Sequence, residues 1–349
     1  MNILIVKPSS LGDIVHTFPA VRLLKQHFPE ATLSWVVNDT YTELVNLCPD
    51  VEYALAFRRR RWGRPRHWPE VVAFVRELRS RHFDVAVDFQ GLFRSGLIAR
   101  LSGARRRVGF ATAREWATRF YTERVLTPAN VRHAVDRNVF LVRSAFGIAS
   151  DAVEWRLGSF ADGVARAEYL LEKHGLHGRH PIVAVAPAAR WASKTWPAEF
   201  FAAVVRRVAD RAGEAAFWLC GSEDEKPVGR AVLAACGGFA PAMLMGESNL
   251  GTLVELLRRS DVLLTNDSGP MHLAAAVGTP TVSMFGPTDP GLTGPYGQGH
   301  QVFRGDCPRS PCFERECPDA PMDCQRQVDV GAVADAVVRA CRPNRLAVG

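Results

Sequence analysis

A chain of 349 residues, 47% hydrophobic and 23% charged, has a globular composition and exceeds the length of one small core, so two ordinary domains are expected. No apolar stretch is long enough to span a bilayer. The start, Met1-Asn2-Ile3-Leu4-Ile5-Val6-Lys7, reads as a first strand rather than a secretory leader, so a cytoplasmic protein is expected. The net charge of +7 is uneven: residues 1–160 hold 24 Lys and Arg against 15 Asp and Glu, and the remainder holds 19 against 21. The first half should therefore meet something anionic, whether nucleic acid, a membrane surface or a phosphorylated substrate.

In chain order, residues 2–6 form an apolar run without alternation, as in a strand covered on both faces. A turn over 7–13 leads into a helical pattern over 14–28 that Pro19 should kink or restart. Strands are expected at 32–37, 51–56 and 84–88, with helices at 41–47, 70–79, 94–101 and 133–146. The alternation then begins again. Strands fall at 181–186, 216–220, 242–245, 262–265 and 281–285, and helices at 197–212, 224–235, 250–259, 270–277 and 328–341. Two such series predict two Rossmann-like, doubly wound α/β domains with parallel sheets, spanning 1–160 and 161–349 and facing across a cleft. Ligands of such sheets bind at the carboxyl ends of the strands.

Several turns at those ends carry chemistry. Residues 262–278 read as strand, polar turn and short helix, with Pro270 opening the helix and Gly278 closing it. Free N–H groups at such a helix start favour an anion, which places Asp267, Ser268, Gly269 and His272 around a phosphate. Asp13, in Ser9-Ser10-Leu11-Gly12-Asp13, is either a proton acceptor for a hydroxyl nucleophile or a carboxylate capping the first helix. The same turn lacks the G-x-G-x-x-G pattern of dinucleotide-binding domains, which argues against a dehydrogenase. Lys194, just before a helix at Pro197, is either a diphosphate ligand or an exposed lysine. Glu223, after the strand ending at Cys220, holds ribose hydroxyls, or else Glu223 or Asp224 caps the following helix.

Between 58 and 68 lie six arginines and two tryptophans: Arg58, Arg59, Arg60, Arg61, Arg64 and Arg66 with Trp62 and Trp68. Arginine offers bidentate geometry to phosphate and carboxylate, so anion binding is favoured over a merely solvated loop. Cys307, Cys312, Cys317 and Cys324 are spaced at or beyond the usual edge for zinc pairs. They remain open as a metal set, buried thiols or a disulfide-prone loop.

Together, ILIVKPSSLGDIVHTFP at 3–19, DFQGLFRSG at 88–96, KTWP at 194–197 and NDSGPMHLAA at 266–275 resemble glycosyltransferase family 9, the ADP-heptose:lipopolysaccharide heptosyltransferases. The motifs follow the family order over most of the chain, and the basic loop is most similar to the heptosyltransferase I branch. The resemblance implies a GT-B fold, with the acceptor on the N-terminal domain and ADP-heptose on the C-terminal one. It implies inverting transfer to the Kdo region of the inner core without a metal or other cofactor. Asp13 would be the general base. Lys194, Glu223, Asp267, Ser268, Gly269 and His272 would bind the donor. Ser9, Gly12, Arg58, Arg59, Arg60, Arg61 and Arg64 would lie on the acceptor side, facing a Kdo–lipid A type molecule at the cytoplasmic face of the inner membrane, with no nucleic acid partner. Heptosyltransferase II or another acceptor in the family is the alternative. One departure stands out: Pro187-Ala188-Ala189-Arg190 lacks the hydroxyl pair that some members carry before the lysine. Readings from other classes are a sugar-nucleotide epimerase, which needs no acceptor, and a basic nucleic-acid-binding module, whose binding would fall steeply with salt.

Overall fold

The computed structural model describes residues 1–318 and 324–341, apart from the side chains of Arg60 and Pro65. These residues divide into two compact units, one running from Met1 to Gly158 and the other beginning at Ser159.

The first unit runs β1 (Asn2–Val6), α1 (Leu11–Val15), α2 (Phe18–His27), β2 (Thr32–Asn38), α3 (Thr42–Asn46), β3 (Tyr53–Phe57), α4 (Arg59–Trp62) and α5 (Trp68–Ser80). It continues with β4 (Val85–Asp88), α6 (Phe93–Leu101), β5 (Arg106–Phe110), β6 (Glu123–Val125) and α7 (Ala134–Phe146). All the strand pairs are parallel, in the order β3-β2-β1-β4-β5-β6. Pro19 restarts the helix: α1 ends at Val15, and α2 begins at Phe18 with the proline in its first turn, where no intrahelical N–H is needed.

In the second unit α8 (Ala161–Lys173) precedes β7 (Ile182–Ala186), α9 (Ala198–Ala212), β8 (Ala216–Leu219), α10 (Lys226–Ala235), β9 (Ala242–Met243) and α11 (Leu250–Arg258). Then come β10 (Val262–Asn266), α12 (Gly269–Ala276), β11 (Thr281–Phe285), α13 (Pro290–Thr293), β12 (Gln301–Arg304) and α14 (Val330–Cys341). The sheet order β12-β11-β10-β7-β8-β9 repeats the first unit's connectivity, strand for strand. In each sheet the strand order reverses beside the first strand, between β1 and β4 and between β7 and β10, and such switch points open a crevice at the strand carboxyl ends.

Burial follows the apolar runs. Ile3, Leu4, Ile5 and Val6 are fully buried, each contributing about 1.5–3 kcal/mol, because helices cover both faces of a parallel sheet. Around Trp196, Phe201 and Phe217 the second core brings in Val333, Ala334 and Val337 of α14, which places the C-terminal helix on the second unit's own core. Residues 159 and 160 belong to the second unit, two positions earlier than the expected division. The strands β5, β6 and β12 and the helices α4, α8 and α13 were not anticipated.

Candidate active site

At the first switch point, β1 runs into Lys7 and the turn that starts α1. Lys7 is buried and points across to β4, donating from Nζ to the Phe89 carbonyl at 3.2 Å. The same ammonium lies 3.6 Å from Oδ1 of Asp13, whose side chain is 41% accessible. Oδ2 of Asp13 accepts from the Ser10 backbone N–H at 2.9 Å and from the Ser10 hydroxyl at 2.7 Å. Desolvation pushes the Asp13 carboxyl up, but the Lys7 ammonium and the two Ser10 hydrogen bonds, helped by His16, outweigh it and hold the pKa at about 2. Asp13 therefore stands as an accessible carboxylate that is ionised at any physiological pH. It is also the acidic member of a capping box with Ser10, which is the capping role that the sequence offered for it. Ser9 joins the turn to β4 through its N–H, which donates to Oε1 of Gln90 at 3.4 Å. Gly12 lies within α1, beside Asp13.

The turn after β4 is held by Asp88, which is completely buried. Oδ1 accepts from the N–H groups of Gln90 and Gly91 at 2.8 and 3.1 Å, and Oδ2 from the hydroxyls of Ser95 and Tyr121, each at 2.7 Å. Burial pushes this carboxyl up against the pull of those four donors. Tyr121 reaches Asp88 because Gly109 offers no side chain: a Cβ there would stand 2.3 Å from the tyrosine ring. The DFQG segment is thus a scaffold for the Gln90-Gly91 turn, fixed from β5 and the chain beyond it.

The second switch point carries the opposite charge outward. Lys194 ends a short 3-10 turn after β7, and its Nζ lies 2.6 Å from Oδ2 of Asp267, which follows β10. Only 17% of the lysine side chain and 4% of the aspartate are accessible, so Lys194 is not the freely solvated residue of the plainer reading. The ammonium also sits 4.6 Å from the centre of the Trp191 ring, and the Thr288 hydroxyl donates to the same Asp267 oxygen at 2.5 Å. Asn266, fully buried, ties the two strand ends together: Oδ1 accepts from the Trp196 N–H at 3.0 Å and Nδ2 donates to the Pro187 carbonyl at 2.8 Å. Ser268 is the N-cap of α12 and Gly269 its first residue, with Pro270 next, and all three are partly exposed; His272 is buried. The start of α12 is accordingly open where an anion would approach.

Glu223 lies in a 3-10 turn after β8, 69% exposed and 2.7 Å from Lys226. The capping role belongs to Glu225, whose carboxylate accepts from the Ser222 N–H at 2.7 Å, so Glu223 is not consumed as a cap.

The sequence model of glycosyltransferase family 9 (heptosyltransferase) matches residues 71–322. Lipopolysaccharide heptosyltransferase 1 of Pseudomonas aeruginosa is 31% identical over 341 residues, which cover 94% of this chain and 90% of that protein. The chain belongs to glycosyltransferase family 9. It is also similar to lipopolysaccharide heptosyltransferase 2 of Escherichia coli K12, at 25% identity over 323 residues, 87% of this chain and 88% of that one. The solved E. coli heptosyltransferase WaaC with ADP is 26% identical with a TM-score of 0.78, covering 97% of this chain and 100% of that one. The fold is therefore the GT-B type of the heptosyltransferases, and the chain is a glycosyltransferase.

Two features of this family 9 enzyme lie outside the switch points. In the basic loop, Trp62 is seated between Phe57 and Phe74, at ring distances of 5.3 and 5.0 Å, and donates to Glu70 at 3.1 Å. Arg61 pairs with Glu70 at 2.8 Å. Arg58, Arg59 and Arg64 are exposed and have no side-chain partner among the described residues; the Arg60 side chain lies outside them. The four late cysteines line one cavity of about 400 Å³, together with Ser193, Pro287, Arg309, Ser310, Glu314 and Glu316. Among the described residues no three His, Cys, Asp or Glu side chains are gathered as metal ligands. No described helix is long and apolar enough to cross a membrane.

Lys7, Asp88, Trp191 and Thr288 went unnoticed in the sequence. Lys7 and Asp88 sit inside the quoted motifs, so their signal was present. Thr288, in Gly286-Pro287-Thr288-Asp289, carries none that periodicity or spacing could raise.

Proposed function

We propose that this enzyme transfers heptose from ADP-L-glycero-D-manno-heptose to the Kdo region of the lipopolysaccharide inner core, as an inverting, metal-independent heptosyltransferase of type I. The observation that carries the reading is a pair of switch-point turns of opposite sign within a family 9 chain. One presents the Asp13 carboxylate, the other the Lys194 ammonium beside the open start of α12. The higher identity to a heptosyltransferase 1 than to a heptosyltransferase 2 supports the subtype.

In this mechanism Asp13 accepts the proton of the acceptor hydroxyl as its oxygen attacks the anomeric carbon from the face opposite ADP. The bond from that carbon to the diphosphate breaks, and ADP leaves with the electron pair. Lys194, the N–H groups at the start of α12 and His272 stabilise the charge that develops on the leaving group. Asp267, Ser268 and Gly269 shape that turn, and Glu223 holds the ribose. Ser9 and Gly12 border the attacking hydroxyl. Arg58, Arg59, Arg60, Arg61 and Arg64 meet the carboxylate and phosphate groups of a Kdo–lipid A acceptor at the cytoplasmic face of the inner membrane. The first unit, ending at Gly158, then serves as the acceptor domain and the second, beginning at Ser159, as the donor domain.

The test is a transfer assay with ADP-heptose and a panel of truncated inner-core acceptors, in the presence of a chelator, with the product linkage read by NMR. Heptose should appear on a Kdo-terminated acceptor with inverted anomeric configuration. Transfer only to an already heptosylated core would replace type I by type II, and product formed without any acceptor would replace transfer by epimerisation.

A further inference from the structure

Thr288 is buried and donates to Oδ2 of Asp267, the oxygen that also holds the Lys194 ammonium. A diphosphate arriving at this turn must draw Lys194 partly or wholly away from Asp267. That exchange would leave a nearly inaccessible carboxylate short of a partner, which is costly in a protein interior. We propose that Thr288 is a positioning residue for donor binding: it keeps Asp267 satisfied and aimed while Lys194 turns to the phosphates. The proposal rests on the reading of this turn as the donor site.

The surroundings support a built arrangement. The cysteine-bearing loop ties the turn carrying Thr288 to the turn carrying Lys194. From it the Phe313 N–H donates to the Pro287 carbonyl at 2.7 Å and the Ser310 hydroxyl to the Gly286 carbonyl at 2.5 Å. To the same loop Ser193 donates twice, from its N–H to the Arg315 carbonyl at 3.1 Å and from its hydroxyl to the Glu314 carbonyl at 2.6 Å. Gln325 closes the clamp by donating to the Ser193 carbonyl at 3.3 Å. Thr288 and Lys194 are therefore presented to one carboxylate oxygen by two turns that a single loop locks together.

The experiment measures ADP affinity by calorimetry for the full chain and for Thr288→Val, Thr288→Ser, Lys194→Ala and the Lys194→Ala/Thr288→Val double variant. Thr288→Val should weaken ADP about tenfold, the consequence of one poorly satisfied buried carboxylate, and Thr288→Ser should restore it to within about twofold. In the Lys194→Ala background Thr288→Val should cost nothing further, because the effect passes through the lysine. Should Thr288→Val fail to fold, Thr288→Ala replaces it with the same expectations. Wild-type affinity in Thr288→Val, failure of serine to rescue, or multiplicative losses in the double variant would each overturn the positioning role. Unchanged affinity in Lys194→Ala would instead overturn the donor reading beneath it.

Discussion

The two units share one strand order, and each places a Lys–Asp pair at its switch point, yet the pairs are reversed. In the first, Lys7 is the buried partner, with 8% of its side chain accessible, and Asp13 is turned outward at 41%. In the second, Asp267 is buried at 4% and Lys194 is the more accessible partner at 17%. The buried member sets the sign of the group that is offered. A lysine held under a carboxylate keeps that carboxylate ionised, so the first turn can accept a proton or a hydrogen bond. An aspartate held under an ammonium keeps the lysine aimed, so the second turn suits a phosphate. The same backbone crevice thus serves opposite chemistry by exchanging which residue is covered. Separation matters too: 2.6 Å in the second pair is a charge-assisted hydrogen bond, whereas 3.6 Å in the first leaves the Asp13 oxygens to Ser10 and to solvent.

The sharpest break of that contrast is Asp13→Asn. It keeps the shape and most of the hydrogen bonding of the turn but removes the proton acceptor. The turnover number should fall by roughly 10²–10⁴, the usual contribution of a positioned general base, while ADP affinity stays within about twofold of wild type. Turnover at the wild-type rate would remove Asp13 from the chemistry and leave the first pair as a cap alone.

The contrast could be read only in part from the amino-acid sequence. Strands such as β1, β7, β10 and β11 declare themselves because burial on both faces demands continuous apolar runs. β5 hides because two of its five residues are arginines, which are spent on specific partners: Arg106 on Glu123 at 2.9 Å and Arg107 on the Phe120 carbonyl at 2.7 Å. β12 is an edge strand with alternating half-exposed and exposed residues, so it too lacks the apolar signature. In the sites, Asp13 and Lys194 stand in short motifs whose residue types suggest chemistry. The partners that define their charge come from elsewhere in the folded unit. Phe89 receives Lys7 because β1 pairs with β4, and Thr288 meets Asp267 because β10 pairs with β11. Sheet register supplies those neighbours, and local sequence does not encode it.

A gentler perturbation is Lys7→Met, which preserves the volume of the buried chain and removes its charge. Burial then acts on Asp13 with less opposition, so its pKa rises from about 2 towards or beyond the ordinary 3.8. The acid limb of the kcat/KM profile should move to higher pH. The sign for stability follows from the depressed native value. The favourable contribution of ionised Asp13 is present above its unfolded pKa and is lost as pH falls through about 2. Urea titrations should therefore show a deficit of the variant at pH 6 that narrows as pH drops below 4. An unmoved acid limb would mean that Lys7 does not set the charge of the outward carboxylate.

The smallest effect is expected where charge is offered without any covered partner. In the basic loop Arg61 is committed to Glu70, and Trp62 anchors the chain in its aromatic seat, whereas Arg58 and Arg59 are exposed and unpaired among the described residues. Reversing both to glutamate spares the Trp62–Glu70–Arg61 anchor. Each exposed charge is screened and worth at most about 1 kcal/mol, so the acceptor KM should rise several-fold, with ADP affinity and the turnover number little changed. Added salt should narrow the difference between variant and wild type. An acceptor KM that ignores the reversal would show that this loop, unlike the two switch-point turns, does not meet the substrate.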